Sequence, residues 1–447
     1  MKDSLKEQES GKKFAGIIIP MGLTRANFST LYLTSWIMGC LMALPAVVQP
    51  AFLKETIGIP EAMAGSINSG LQNMSQIATL LLIGLVGIAS DKYGRKRLII
   101  VGFAICCVFY IIFGHSKTIV LAMGIGSLAG QLAFVYLSRF IIGIGLVLSH
   151  PQFVTMVADY TFESGRGKGM VLHAIMMSLG TLTVYGILTQ LATSIGVLGL
   201  LYIGGLLGLF GALIAQIGLV DRVPGEKARK AGIKHIYRVA SKNFALKLSY
   251  AAAFITRADI AIPSTLLIVW MVSVSDTFGY TPVEATVRGG IFLMVGSVFR
   301  MISFPAVGVL LDRVGRTPVL IGTLIIGGVG YVLIATADNP FSYVMLLYIC
   351  LLGLGKNGAI VAVNTLASDA APQQLRGSIL GVLNTLGTLG IILFLQAGGY
   401  LFDNISHQSP FLFKGAVNLL FGIWVWKVRT RVSVTSHTDG SMGGNTE

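Results

Sequence analysis

The stretch Gly87-Ile-Ala-Ser-Asp91-Lys-Tyr-Gly94-Arg95-Lys96-Arg97 is a tight polar turn between two apolar segments that are too long for ordinary soluble helices. It is written twice. Gly308-Val-Leu-Leu-Asp312-Arg313-Val-Gly315-Arg316 repeats the Gly-x-x-x-Asp-x-x-Gly-Arg spacing 221 residues later, again between apolar segments. A second internal match runs at an offset of 210, placing Ile142-Gly143-Ile144-Gly145 on Leu352-Gly353-Leu354-Gly355, Asp159 on Asp369, Arg166 on Arg376 and Gly167 on Gly377. Self-similarity of this kind marks one structural unit used twice. The first half holds 11 more residues between its turn and its glycine pair, about the size of the apolar, glycine-rich piece 119–130, which reads as an insertion in an outer loop.

Composition fixes the solvent. The chain is 54% hydrophobic and 12% charged, with mean hydropathy +0.78, whereas soluble domains carry about a quarter charged residues. A membrane helix needs about 20 mainly apolar residues, and that template gives six spans near 28–53, 62–90, 96–115, 131–160, 167–193 and 196–220. Six more follow near 244–275, 283–311, 317–337, 342–370, 376–402 and 410–428. The fold class is an all-α membrane protein of twelve transmembrane helices in two six-helix bundles, related as parallel repeats. The expected division is an N-tail at 1–27, an N-terminal bundle at 28–220, a basic linker at 221–243, a C-terminal bundle at 244–428 and a disordered C-tail at 429–447. In the linker, Pro224-Gly225 turns the chain, and 232–242 is either a short amphipathic helix on the inner leaflet or a solvated basic loop.

The net charge of +14 does not call for a nucleic-acid partner once the 33 Lys and Arg are located. Lys54, Lys117, Arg288 and Lys414 fall in outer loops, Arg139, Arg257, Arg300 and Lys356 fall within spans, and the rest fall on one side. The positive-inside rule then places both termini in the cytoplasm. The N-tail lacks the long apolar region of a cleaved signal peptide. Cys40, Cys106, Cys107 and Cys350 all lie in apolar segments and read as small core residues.

The repeated turn resembles the signature loop of the major facilitator superfamily of secondary transporters, and the likeness extends over about residues 28–428. Arg139-Phe-Ile-Ile-Gly143-Ile-Gly145 is similar to the family's Arg-x-x-x-Gly-x-Gly pattern in the fourth span. The resemblance implies two helical domains around a midplane site and transport by alternating access. It also implies an inner gate formed by Gly87, Asp91, Gly94 and Arg95 with their counterparts Gly308, Asp312, Gly315 and Arg316. Asp91 would then face the start of span 11 near Arg376, and Asp312 the start of span 5 near Arg166. The family's drug exporters carry Gly-Pro-x-x-Gly-Gly in span 5, but Met177-Ser-Leu-Gly180-Thr-Leu-Thr-Val-Tyr-Gly186 has no proline, which weighs against drug/proton antiport.

Charge inside a membrane span is costly, so intramembrane ionisable residues are functional candidates. Arg139, Arg257, Asp259, Arg300 and Lys356 form the expected substrate and proton-coupling set. Asp259 is the one acidic residue placed deep in a span, with Arg139, Arg300 or Lys356 as its expected partner. Four cations against one carboxylate imply an anionic solute. Gly143, Gly145, Gly353 and Gly355 read as helix-packing positions. Gly353-Leu-Gly355-Lys356-Asn357-Gly358 matches a dinucleotide fingerprint, but it lies inside a span where that motif has no strand–turn–helix context. The six histidines are scattered, and no metal or cofactor site, ATP-binding loop or nucleophile motif is found.

The sequence therefore points to a non-enzymatic secondary transporter, working as a monomer, with a small-molecule substrate, protons and the lipid bilayer as partners. A bacterial inner membrane and symport of an organic anion are expected; export of amphipathic compounds by proton antiport, or a non-transporting sensor, are the alternatives.

Overall fold

The structure, a computed structural model, describes residues 9–222, 233–372 and 375–438. In hydrocarbon every backbone N–H and C=O must be satisfied internally, which leaves apolar sequence the helix as its economical form. The helices are α1 (Arg25–Phe52), α2 (Ala64–Tyr93), α3 (Arg95–Gly114), the short α4 (Ser116–Ala122), α5 (Leu128–Tyr160), α6 (Glu163–Thr183) and α7 (Thr189–Gly218). They continue with α8 (Ile233–Lys242), α9 (Phe244–Thr256), α10 (Ala261–Ser273), α11 (Pro282–Val314), α12 (Arg316–Ala335), α13 (Val344–Ala370), α14 (Arg376–Asn404) and α15 (Ser409–Thr438).

Among the described residues, 11 helical runs are long and apolar enough to cross a membrane. One of them, Glu163–Gly218, has 56 residues, about twice what a crossing needs. It changes direction at Gly196, where φ is 71° and ψ 176°, a conformation open to glycine. That run is two crossings, and the total is twelve. A single turn of wider helix at Val184–Leu188 joins α6 to α7, and a 3₁₀ turn at Arg257–Ile260 joins α9 to α10 within the seventh crossing.

Ahead of α1 lies a hairpin that the hydropathy pattern did not reveal. β1 (Glu9–Phe14) pairs antiparallel with β2 (Ile17–Pro20), with Phe14 opposite Ile17, and Ala15 and Gly16 turn the chain at φ 47° and 77°. Phe14 lies 5.6 Å from the Phe28 ring and 5.8 Å from the Tyr32 ring, which fastens the hairpin to α1. Thr24 and Asn27 then start α1 with a reciprocal capping box. In the linker, α8 occupies Ile233–Lys242, while Pro224-Gly225 lies outside the described residues. At the C-terminus α15 continues to Thr438, beyond the boundary at 428 where a disordered tail was expected; residues 439–447 lie outside the described set.

The chain forms two compact units. The first comprises Met1–Pro60, Met74–Lys227 and Val272–Gly290; the second comprises Glu61–Asn73, Ala228–Met271 and Ile291–Glu447. Each unit takes in a helix end from the other sequence half. In the first unit, Gly143 faces Ser75 so closely that a Cβ would lie 2.8 Å from the Ser75 Cα, and Gly145 would meet the Gly102 carbonyl at 2.8 Å. The second unit repeats this at the same offsets: Gly353 faces the Gly296 carbonyl at 3.1 Å, and Gly355 the Thr323 carbonyl at 2.7 Å. The core of the second unit is an aliphatic layer that includes Leu248, Leu311, Leu320, Leu324, Val363, Leu366 and Leu383.

Candidate functional site

The seventh crossing tightens to a 3₁₀ turn where it carries Arg257 and Asp259, so both charges sit near the middle of the membrane segment. Asp259 is 2% exposed, and its carboxylate pairs with the Lys414 ammonium at 2.7 Å. The Asn418 amide, one turn further along α15, donates to both carboxylate oxygens at 3.2 and 3.4 Å, while its own oxygen accepts from Lys414. Around them stand Tyr331 and Phe394, whose ring centroids lie 5.8 and 5.4 Å from the Lys414 ammonium. Phe411 packs 6.5 Å from Tyr331 and 5.9 Å from Trp270. The result is a buried ion pair inside an aromatic cage.

This corrects two expectations. Lys414, assigned from sequence to an outer loop, is 0% exposed. Asp259 pairs with it rather than with Arg139, Arg300 or Lys356. Lys414 lies five residues into α15, where a hydropathy window still sees the helix end, so the long lysine chain reaching inward was not legible.

The other cations of the second unit find different partners. The Arg257 guanidinium donates to the Asn384 side-chain oxygen at 2.7 Å and to that of Asn364 at 3.3 Å, and the residue is half-buried. On α13, Asn357 donates to the Ser303 hydroxyl at 3.2 Å and to the Arg300 carbonyl at 3.5 Å, tying α13 to α11 beside Lys356. Arg300 and Asp259 both act electrostatically on Lys356. Among the described residues no carboxylate lies within ion-pair distance of Arg257 or Lys356. Arg257, Asp259, Arg300 and Lys356 thus belong to one unit. Arg139 belongs to the other, 1% exposed beside Tyr110 and Cys106.

At the repeated turns, Gly94 and Gly315 have φ of 87° and 98°, which explains why glycine recurs there. Arg95 pairs with Asp159 and donates to the Thr155 carbonyl at 3.1 Å. Arg316 does the equivalent, pairing with Asp369 at 2.9 Å and, more distantly, with Asp312 at 3.8 Å. The helix after the first turn is capped by Asp221, whose Oδ1 accepts the Arg95 and Lys96 N–H groups at 2.8 Å each. Tyr160 fixes Asp221 in place, since its hydroxyl accepts the Val220 N–H at 2.8 Å and donates to the Val220 carbonyl at 2.9 Å. Asp91, Asp312, Arg166 and Arg376 are exposed, Gly87 is half-buried, and a side chain at Gly308 would meet open space. Among the described residues no group of three metal-ligating side chains occurs.

A family model described as Major Facilitator Superfamily matches residues 31–395 and 302–444. The chain belongs to this superfamily. Among relatives of this major facilitator transporter, Magnetosome protein MamH of Paramagnetospirillum magneticum is 28% identical over 415 residues, covering 93% of this chain and 95% of that protein. Magnetosome protein MamZ of Magnetospirillum gryphiswaldense is 27% identical over 433 residues, 96% of this chain but 66% of that longer protein. The crystal structure of the nucleoside transporter NupG superposes with a TM-score of 0.72 at 15% identity, covering 90% of this chain and 98% of NupG. The superfamily and its multi-pass membrane fold therefore hold for this protein.

Proposed function

We propose that this transporter carries a small organic anion by alternating access, coupled to protons through Asp259. One observation carries the reading: Asp259 is already matched by Lys414, which leaves Arg257 and Lys356 with no carboxylate within ion-pair distance among the described residues. Buried cations in excess need an anion or water to balance them. Arg257, steered by two amide oxygens that neutralise nothing, presents a planar donor suited to a carboxylate.

Proton coupling follows from the same arithmetic of charge. A proton on Asp259 dissolves the ion pair and adds one positive charge to the unit, and Lys356 lies within electrostatic reach of that change. Anion and proton therefore bind each other's state more tightly, and linkage makes the effect reciprocal. That is the thermodynamic basis of symport. In this reading the turns form the inner gate, both termini are cytoplasmic, and the protein works in a bacterial inner membrane. The missing proline at Met177–Gly186 and the cationic excess both argue against drug antiport.

The test is flux into proteoliposomes under an imposed pH gradient, using a panel of small mono- and dicarboxylates and one lipophilic cation. Anion uptake that rises with inward proton force supports the proposal. Efflux of the lipophilic cation without anion flux refutes it in favour of drug antiport, and no flux of any solute refutes it in favour of a sensor.

A further inference from the structure

The hairpin ahead of α1 is seated on the first unit by apolar side chains and by two arginines. Ile17 and Ile19 are buried, and Ile17 lies against α6 at Gly165, where a Cβ would come within 3.3 Å of it. Arg25 donates from Nε to the Lys13 carbonyl at 3.1 Å, and the Arg222 guanidinium donates to the Met21 carbonyl. Arg222 follows Asp221, the residue that caps α3, so the hairpin stands at the end of the first unit that carries the repeated turn. Held there, the bend between β1 and β2 overhangs α6 and roofs a cavity of about 430 Å³. Ala15 and Ile17 line it from the hairpin, and Lys168, Val171, Leu172 and Ile175 line it from α6.

The two ends of this cavity differ in chemistry. At one end a Cβ on Gly16 would stand 3.8 Å from the Lys168 Nζ, so the ammonium lies over the bend of the hairpin. Among the described residues Lys168 has no carboxylate within ion-pair distance, Glu163 at the start of α6 included. Towards the other end, Val171 and Ile175 lie one turn apart on α6 and are 60% and 41% exposed, and Leu179 continues the stripe at 39%. At a rise of about 1.5 Å per residue, Lys168 lies about 8 Å along the helix from Glu163, and Ile175 about 18 Å. The polar layer on each side of a bilayer is about 5–8 Å thick. The ammonium is therefore at headgroup depth when the apolar stripe is in hydrocarbon.

A soluble anion has no use for the stripe, and an acyl chain alone has none for the ammonium. An anionic phospholipid uses both, its phosphate meeting Lys168 in a charge-assisted contact and its chain covering the apolar side chains. A phosphocholine lipid brings its own cation beside the phosphate, which Lys168 repels. We propose that this cavity holds one anionic phospholipid from the leaflet next to the repeated turn, with its phosphate on Lys168 and one acyl chain along Val171, Ile175 and Leu179. The hairpin confines the headgroup to one place, which turns the general attraction of basic residues for a negative leaflet into a site. The inference goes beyond the transport reading and makes no use of the substrate or of protons.

The experiment places a bimane fluorophore on Leu179→Cys in a variant with Cys40, Cys106, Cys107 and Cys350 replaced. The full chain is reconstituted in dioleoylphosphatidylcholine vesicles holding rising fractions of chain-brominated phosphatidylglycerol or chain-brominated phosphatidylcholine, and quenching reports which lipid lies against the label. Quenching at position 179 is expected to favour phosphatidylglycerol about fivefold, as one lysine near a headgroup gives. Lys168→Gln should bring that preference below about twofold, and Lys168→Arg should keep it. The same label on Leu213→Cys, exposed on α7, should show less than a twofold preference. Equal quenching by the two lipids at position 179, a preference unchanged by Lys168→Gln, or an equal preference at position 213 overturns the site. Relief of the quenching by millimolar glycerol phosphate in the buffer also overturns it, because the occupant is then a soluble phosphate. A carrier with the wrong substrate assigned to it would still pass this test.

Discussion

Replacing Lys414 by Met removes the charge while keeping an unbranched side chain of similar length in the aromatic cage. The partner left behind is a carboxylate whose side chain is 3% exposed, against 0% for the lysine. Removing one member of a buried ion pair costs about 3–5 kcal/mol, because the survivor must either stay charged in an apolar site or take up a proton. Asn418 still donates to Asp259 after the change, and a hydrogen bond to a charged group contributes about 1.5–3 kcal/mol, so the lower end of the range, about 3 kcal/mol, is the expected loss. Asp259→Asn should cost a similar amount by stranding Lys414. The double variant strands neither, and replacing both charges is expected to bring stability back to within about 1 kcal/mol of the parent. The assay is equilibrium unfolding in mixed micelles over the four proteins of the cycle. A coupling energy below about 1 kcal/mol would refute the reasoning, since it would mean that water reaches the pair and screens it.

Three further outcomes follow from the same contacts. The Arg95–Asp159 pair is 9% and 6% exposed and Arg316–Asp369 33% and 53%, so equivalent alanine substitutions should cost about 3–5 kcal/mol at the first and under about 1 kcal/mol at the second, read by double-mutant cycles. Asp221→Ala uncaps α3 and should cost about 1 kcal/mol, with faster amide hydrogen exchange confined to Arg95 and Lys96 and their neighbours. Between α14 and α15, burial pushes the His407 imidazole below its ordinary value of 6.5, against the pull of the Glu61 and Asp403 carboxylates. Its folded form then holds a proton less readily than its unfolded form, so this histidine's contribution to stability is present above about pH 6.5 and is lost as pH falls; thermal melts should show that acid dependence reduced by His407→Gln.

The duplication was legible because it is written in residues that leave little room for alternatives. Glycine at a positive φ in each turn and glycine pairs at two helix crossings have few substitutes, so the same letters recur at offsets that the contacts then repeat. Asp159 and Asp369 were visible in that alignment, yet nothing in the sequence said that Arg95 and Arg316 would meet them. Side-chain reach hid other features. Lys414 sits near a helix end but delivers its charge to mid-membrane, and Asp221 follows Leu219 and Val220 just past α7, where it looked like the first residue of a linker. The hairpin at Glu9–Pro20 is too short and too basic for a hydropathy window, although Phe14 and the alternating Ile17 and Ile19 carry its pattern. The bonds from the Gly65 and Ser66 N–H groups to the Asp403 carboxylate, at 2.7 and 2.8 Å, join residues far apart in sequence and lie at helix ends, where spacing alone gives no register.

The measurement closest to the central claim is anion uptake by proteoliposomes holding the parent, Arg257→Gln or Lys356→Gln protein, with internal pH recorded at the same time. The account predicts that anion entry acidifies the lumen in the parent and falls at least tenfold in both variants while each keeps the parental unfolding midpoint. Parental rates of anion entry in both variants, or entry with no proton movement, would contradict it.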